Sequence, residues 1–403
     1  MLLALTQLVA CGTAAIDTAG TAASGAEPDS TSFGTLASLP AHSAEEAHAG
    51  VSIAEVEIDW IRAEPSEGNF DEEYLQSVRD RVATFRSAGR TITLEPSLHY
   101  TPKWLLNKPD GRMVDDLGNV SDAGNFIFNQ KLREAAEKYL AKVGSEFDFS
   151  RMTAVRVTSA TDTEVLYPAN GHYWAFDRDA QNGPNMPPTM APNPAPGWRP
   201  GQDGLTEAKV RQWADWYVGA LNDEVNWQLA TYAKLGFRGT YLVLTPGVGV
   251  LPKEYNDAVS QNLPPGLLGA GGAWQVFYSR LPRRPDVVAY VSSAADNSGD
   301  NDSCEPADQA VPLDSPDIQD WSATRWITRL AHEYGFAVAG ENPGWHQSHS
   351  LDKSYRDLSD SGMMATALRQ ARTCNFKTFY WAHDEKLWDG TVPFSAYAEH
   401  IAR

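Results

Sequence analysis

Residues 56–94 read VEIDWIRAEPSEGNFDEEYLQSVRDRVATFRSAGRTITL. A run rich in β-branched and aromatic side chains, Val56–Ile61, gives way to a turn at Glu64-Pro-Ser-Glu-Gly68, then to a helical pattern, then to a second β-branched run, Thr91–Leu94. Asp71 stands where a helix N-cap belongs. Tyr74, Leu75, Val78, Val82 and Phe85 recur at near-helical spacing on one face, and Gly89 can take the left-handed backbone that ends helices. The stretch therefore predicts a strand, a crossover helix and a next strand.

The same alternation runs outward in both directions and recurs to give eight units. Phe33–Leu39 is the first strand, followed by a helix rich in Ala, Glu and His. Val56–Ile61 is the second and Thr91–Leu94 the third. Leu132, Ala135, Ala136, Tyr139, Leu140 and Val143 then fall on one face of a helix. Thr153–Val157 is the fourth strand, a long Trp-bearing helix covers about Thr206–Lys234, and Thr240–Leu244 and Val287–Val291 are the fifth and sixth. Ser315-Pro316 opens a helix that Gly335 closes, and Phe336–Ala339 and Phe376–Trp381 complete the set. Eight β/α units predict an α/β chain built as a (β/α)8 TIM barrel, a single catalytic domain over residues 33–403. A doubly wound sheet is the competing architecture, but neither GxGxxG nor GxxxxGK[ST] is present to cradle phosphate. Residues 169–205 include NGPNMPPTMAPNPAPGWRPGQDG, too rich in Pro, Gly and Asn for regular structure, so long loops are expected at the C-terminal face.

With 42% hydrophobic and 21% charged residues, the 403-residue chain can fill a large core. Thirty-three Lys and Arg face 52 Asp and Glu, a net charge of −19 that repels phosphate backbones, so nucleic acid is excluded as a partner. MLLALTQLVACGT at the start contains Leu8-Val9-Ala10-Cys11-Gly12, a bacterial lipoprotein box in form, although the basic n-region is missing. Residues 1–32 are read as a signal-like segment and flexible tether, which predicts a secreted or cell-envelope protein with membrane attachment only through a lipidated Cys11. Cys11, Cys304 and Cys374 are the only cysteines. Cys304 follows strand six at the top of the predicted barrel and Cys374 precedes strand eight at the bottom, so both are expected as free thiols.

The polar residues just after strands are dominated by carboxylates: His99, Glu164, Asp296, Glu341, His383 and Asp384, with Glu64 and Glu95 beside them. There is no GxSxG and no HExxH. Trp345-His346-Gln-Ser-His349 has a His-x-x-His spacing that could touch a metal, but the loop is equally suited to hydrogen-bonding a ligand, and no metal or cofactor is assigned. Asp296–Asp302 has the Asp and Gly content of a calcium loop without the terminal Glu, and reads as a solvated acidic loop. Two strand-end carboxylates across a barrel mouth are what cleavage of a glycosidic bond requires, one to protonate the leaving oxygen and one to attack carbon or activate water. Glu164 and Glu341 fit best.

At this point the residues carry a resemblance. Ile58-Asp-Trp-Ile-Arg-Ala-Glu-Pro-Ser-Glu-Gly-Asn-Phe-Asp71 resembles the segment after the second strand of barrel β-galactosidases and their relatives in the retaining glycoside hydrolase clan A, and Pro96-Ser-Leu-His-Tyr-Thr-Pro-Lys-Trp-Leu105 resembles the third-strand end of that group. The resemblance implies Glu164 as acid/base, Glu341 as nucleophile and Trp381 as a floor under the sugar. It covers the barrel as an architecture, while the matching motifs are short. The clan places Asn before the acid/base, whereas this chain has Thr163. Thr163-Glu-Val-Leu-Tyr-Pro168 and Gly340-Glu-Asn342 are also similar to the two catalytic segments of β-amylases, inverting enzymes in which the second Glu activates water.

The expected substrate-binding set is Asp59, Trp60, His99, Trp104, Tyr167, Trp345, His346, Trp381 and Asp384. Plainer readings stand beside these. Glu164 could pair with Arg156, Glu341 could shape a turn before Pro343, Glu64 and Glu95 could pair with Arg62 or Lys103, and each Trp could be packing. The functional expectation is a glycoside hydrolase acting on a poly- or oligosaccharide with retention. The alternatives are an inverting β-amylase-like enzyme and a carbohydrate-binding barrel without catalysis.

Overall fold

The computed structural model describes residues 31–159, 164–296, 303–345 and 349–403. Eight parallel strands close into a (β/α)8 TIM barrel: β1 (Ser32–Thr35), β2 (Val51–Glu57), β3 (Thr91–Glu95), β6 (Ala154–Val157), β7 (Thr240–Thr245), β8 (Val287–Val291), β9 (Ala337–Glu341) and β10 (Thr378–Trp381). Their order around the barrel is β1-β10-β9-β8-β7-β6-β3-β2. An antiparallel hairpin, β4 (Arg112–Val114) with β5 (Val120–Gly124), stands outside it. The helices are α1 (Ser43–His48), α2 (Trp60–Ala63), α3 (Glu72–Ser87), α4 (Lys103–Leu106), α5 (Gln130–Phe147), α6 (Glu207–Lys234), α7 (Pro252–Ser260), α8 (Trp274–Arg280), α9 (Ala323–Tyr334), α10 (His349–Arg356), α11 (Met363–Thr373) and α12 (Phe394–Ile401).

Local signals explain most boundaries. The Asp71 carboxylate accepts from Tyr74 N–H to cap α3, and Asn129 and Thr206 cap α5 and α6 in the same way. Gly335 ends α9 at φ 81°, a backbone that glycine adopts without a Cβ clash. Two expected boundaries move. Ser315 caps only a short 3₁₀ turn, Pro316–Asp320, because Trp321 returns to extended backbone; α9 starts later, with Ser322 accepting from Arg325 N–H. The second strand is Val51–Glu57, and Trp60–Ala63 forms a helical turn after it.

Alternation places every second strand residue inside the barrel. The interior is apolar at its base, where Ile53, Ala154, Leu242, Val288 and Ala339 pack together, and Tyr380 bridges upward by hydrogen-bonding Thr93 (2.7 Å). Gly34 of β1 allows this packing, since a Cβ there would lie 2.9 Å from the Tyr380 ring and 3.0 Å from Ile53 O. Toward the carboxyl ends the same inward positions become charged: Glu55, Glu57, Glu95, Arg156 and Glu341. The second, larger apolar layer lies between the barrel and its helices and contains Trp60, Tyr139, Tyr167, Tyr217 and Trp381.

The expected free thiols are corrected by a disulfide between Cys304 and Cys374, with Cα atoms 5.0 Å apart. The expectation kept the loop after β8 at the barrel top. The loop instead lies along the outside of α9: Arg325 ion-pairs with Asp308, Arg329 Nε donates to Val311 O, and Gln309 meets His332 in the last turn of α9. That path brings Cys304 against the end of α11. The Pro-rich loop 169–205 has no regular structure, as expected, but it packs as a layer over α6 and the β4–β5 hairpin: Trp216 Nε1 donates to Ala191 O, and Phe176 N–H to Val114 O. Among the described residues no helix is long and apolar enough to cross a membrane. Residues 1–30, including Cys11, lie outside the described residues, as do Thr163, most of the Asp296–Asp302 loop, and His346.

Candidate active site at the carboxyl ends of the strands

Glu341 is the last residue of β9 and is 8% exposed. Its Oε2 accepts from Arg156 Nη1 (2.7 Å) and from the Tyr290 hydroxyl (2.6 Å). Arg156 reaches up from β6, and its guanidinium also ion-pairs with Glu95 of β3, Nε to Oε2 at 2.6 Å, and lies over the Tyr290 ring. Arg156 thus ties β3, β6, β8 and β9 together at the mouth. Burial would lower its pKa, but Glu341 and Glu95 outweigh that and hold it well above the usual value.

Glu164 follows β6, three strands around the barrel from β9. Ser159 Oγ bridges the carbonyls of Glu164 and Leu166 (2.6 Å each), and Val165 N–H donates to Leu244 O (2.9 Å), so the segment is seated on the end of β7. The half-buried Glu164 carboxylate accepts from Ser292 Oγ at 2.7 Å through Oε1. Both candidate catalytic carboxylates are therefore held by residues at the end of β8, Glu341 by Tyr290 and Glu164 by Ser292. Arg156, considered from the sequence as a partner of Glu164, ion-pairs with Glu341 and Glu95.

The acidic character of the mouth extends to β2 and β3. Glu57 lies opposite Glu95 in the β2–β3 register, and Glu55 lies one inward position below Glu57. Burial pushes Glu55 up to about 8, with Glu95 and Glu57 adding repulsion, although Ala37 N–H donates to its Oε2 at 2.8 Å. Burial also pushes Glu95 up to about 8, opposed by Arg156 and aided by Glu57 and Glu341. Glu57 goes the other way: burial raises it, but His99, Ser97 and Arg156 together bring it below the ordinary range. His99, an expected substrate contact, lies among these groups, with Nε2 3.5 Å from Glu57 and Nδ1 3.8 Å from Glu95. Asp59 precedes the α2 turn beyond β2, its carboxylate beside Arg62 rather than capping the turn, and burial followed by Glu57 raises its pKa.

Four of the expected substrate contacts are corrected to packing or internal polar roles. Trp60 is fully buried, stacked on Tyr139 with ring centroids 4.6 Å apart, and its Nε1 donates to Glu64 Oε2. Tyr167 is fully buried against Tyr217 (4.1 Å). Trp381 faces outward because its neighbour Tyr380 faces in, and it packs on Tyr355 and Tyr397. Asp384 is buried behind β10, where it accepts from Leu39 N–H (2.6 Å) and Trp388 Nε1 (3.2 Å); burial and its neighbour Glu46 push it up to about 8. Trp104 is half-buried, edge-on to Trp60, with Nε1 on Glu64 O. Glu64 itself is closed into its turn by Trp60 Nε1 and Gly68 N–H rather than by Arg62. Trp345, half-buried after β9, has Arg356 over its ring (4.6 Å).

The sequence reading missed Glu55, Glu57 and Tyr290, and it also missed Tyr100. Tyr100 is 43% exposed, with its ring beside His99 (4.1 Å between centroids), and its phenol is pushed up to about 12 by Glu57, then by burial and Asp59. It is an exposed aromatic face at the acidic mouth. A separate cavity of about 630 Å³ lies on the outer side of α6, lined by Thr189, Met190, Arg211, Asp215, Trp216 and Arg280, and includes none of the strand-end groups.

Comparison with known proteins adds fold-level likeness. No protein-family model matches the chain, and no curated protein matches it. Among solved structures, the catalytic domain of β-amylase from Paenibacillus polymyxa superposes with a TM-score of 0.62 at 14% identity, covering 93% of this chain and 99% of that one. A β-galactosidase from Marinomonas ef1 gives a TM-score of 0.52 at 13% identity over 87% of this chain and 54% of its own. The β-galactosidase of the Antarctic haloarchaeon Halorubrum lacusprofundi gives 0.50 at 13% identity, over 87% and 52%. These likenesses establish the barrel.

Proposed function

We propose that this protein is a glycoside hydrolase that cleaves a poly- or oligosaccharide with two carboxylates, Glu164 as general acid and then base, Glu341 as nucleophile. The observation that carries this reading is the Glu341 carboxylate at the end of β9, fixed by Arg156 and Tyr290, with a second carboxylate, Glu164, on the same rim. Two donors converging on one oxygen hold the nucleophile in a single orientation, which is what attack on an anomeric carbon demands. In the first half of the reaction Glu164 gives its proton to the departing glycosidic oxygen while Glu341 bonds to carbon. In the second, Glu164 takes a proton from water, which displaces Glu341 and restores it. Tyr100, an exposed aromatic residue, supplies a sugar-contacting face on the opposite side of the mouth.

Inversion is the second reading, favoured by the β-amylase likeness, which spans nearly the full length of both chains. There Glu341 activates water instead of attacking carbon. The test is proton NMR of the first sugar released from a panel of oligosaccharides: retained anomeric configuration supports double displacement, and inverted configuration moves Glu341 to the base role. Glu341→Gln should lower the rate by about a hundredfold or more; a folded variant with full activity would remove Glu341 from catalysis. If no sugar is released while oligosaccharides still bind, the barrel is a carbohydrate-binding protein. A secreted or envelope-attached location is part of the same proposal, supported by the Leu8–Gly12 box and by the Cys304–Cys374 disulfide, a bond that persists in oxidising compartments.

A further inference from the structure

Beside the proposed catalytic pair the barrel mouth contains a group of donors that the glycosidase mechanism does not use. One donor atom each from Glu57, Glu95 and His99 lies within 4.8 Å of the other two. His99 approaches Glu57 Oε1 at 3.5 Å and Glu95 Oε1 at 3.8 Å, both longer than ordinary hydrogen bonds of about 2.7–3.2 Å. The His99 side chain is only 6% exposed, yet neither ring nitrogen has a hydrogen-bond partner, and Glu95 Oε1 is likewise buried without one. Buried polar atoms are satisfied almost everywhere in proteins, so an unpartnered imidazole and an unpartnered carboxylate oxygen facing it mark a place for a ligand.

We propose that Glu57, Glu95 and His99 bind a divalent transition ion of the zinc type, with two carboxylate oxygens and one imidazole nitrogen as protein ligands. A tetrahedral ion with bonds of about 2.0–2.2 Å separates its ligands by about 3.3–3.6 Å; His99 Nε2 is 3.5 Å from Glu57 Oε1, and one ligand atom from each of the three residues lies within 4.8 Å of the other two, so small side-chain rotations close the set around one ion through a single ring nitrogen. The donor set of oxygen and imidazole suits zinc and its neighbours in the first transition row. Supporting contacts are in place. Glu95 turns Oε2 to Arg156 and leaves Oε1 toward His99, and Glu57 Oε1 accepts from Ser97 Oγ at 3.0 Å, which fixes its orientation. Glu57 is the most open of the three, with 29% of its side chain exposed, and this gives the ion an entry path and room for a water ligand. Charge points the same way: Glu55, Glu57, Glu95 and Glu341 gather around Arg156, the only Lys or Arg ion-paired with any of them among the described residues.

The test uses the full chain, stripped with a chelator and dialysed, then titrated with Co²⁺ and with Zn²⁺ alone. The expected result is one site with a visible cobalt absorption band that zinc displaces. His99→Gln should abolish the band, and Glu57→Gln should weaken zinc binding by about tenfold or more. Unfolding temperatures in chelator, unchanged from wild type, show that each variant is folded; Glu57→Gln, at a part-exposed position, provides a second variant if His99→Gln is unstable. The proposal is overturned if the stripped protein takes up no ion, or if both variants bind cobalt with the wild-type spectrum and affinity. Because ion uptake is read without substrate, this outcome is independent of whether the barrel cleaves sugars.

Discussion

The hydroxyl of Tyr290 offers a sharp test of how Glu341 works. It donates to Glu341 Oε2 at 2.6 Å and accepts from Arg156 Nη1 at 3.1 Å, all within the closed interior of the barrel. Tyr290→Phe removes this one oxygen and leaves the ring that packs beneath Arg156 and beside Tyr380. A hydrogen bond to a charged group contributes about 1.5–3 kcal/mol. If that energy orients Glu341 for attack, kcat/KM should fall by about 10- to 150-fold, since each factor of ten corresponds to about 1.4 kcal/mol. Stability should change far less than in Arg156→Met, which strips two buried carboxylates of their cation and is expected to cost about 3–5 kcal/mol. The assay is initial-rate sugar release by wild type and Tyr290→Phe on the best oligosaccharide, with thermal unfolding measured in parallel. A variant that keeps activity within about threefold of wild type while unfolding at the same temperature would refute the orienting role and with it the argument for a pre-positioned nucleophile.

Other expectations rest on separate parts of the structure. Burial pushes Glu224 in α6 up to about 8, against Arg133 and the Gln228 hydrogen bond, whereas the unfolded chain gives up this proton near the ordinary 4.5. The native state therefore holds the extra proton between those values, and its stability should fall as pH rises through the window, by about 1.4 kcal/mol per pH unit from this group. Glu224→Gln should match wild type near pH 4.5 and exceed it above pH 8 in urea unfolding; a pH-independent difference would contradict the assignment. Replacing both Cys304 and Cys374 with Ser should destabilise by about 4 kcal/mol, the loop-closure entropy expected for a 70-residue separation, and non-reducing peptide mapping should recover the linked pair from wild type. Trp60→Ala should cost about 3–5 kcal/mol of stability without a specific loss of sugar affinity, whereas Tyr100→Ala should weaken sugar binding and leave the unfolding temperature nearly unchanged, as isothermal titration and thermal melts would show.

The barrel was legible because each β/α unit carries its own punctuation. Asp71, Asn129 and Thr206 cap helices, Gly335 ends one, and β-branched or aromatic runs mark most of the barrel strands. Boundaries failed where tertiary contacts outvoted local signals. Ser315-Pro316 has the form of a helix start, yet the chain there first returns to extended backbone at Trp321 before α9 begins. The disulfide was hidden for a related reason, since strand order says on which end a loop leaves the barrel but not how far it then travels along a helix.

The site was half legible, and the missing half has one physical cause. Glu341 ends β9 and Glu164 follows β6, where a barrel carries its chemistry, so position alone makes them the candidates. Glu55 and Glu57 are inside a strand, in the pattern Glu-Val-Glu that usually marks a solvent-facing edge, and only closure of the barrel turns that face inward. Their meaning then depends on register: the pairing of Glu57 with Glu95 brings two carboxylates side by side, and neither residue signals the other in sequence. The aromatic residues show the reverse error. Trp60 and Trp381 stand at strand ends, but Trp60 turns into the helix layer through α2 and Trp381 faces outward by simple alternation, so packing claims both. Tyr100, a few residues beyond β3, escapes that layer and keeps an exposed ring. Distance along the chain from a strand end is thus a weaker guide to a barrel site than the direction of the side chain. Direction also explains how one mouth can join a fixed carboxylate at Glu341 to the cluster of Glu57, Glu95 and His99: all of them lie above the point where the interior changes from aliphatic to charged.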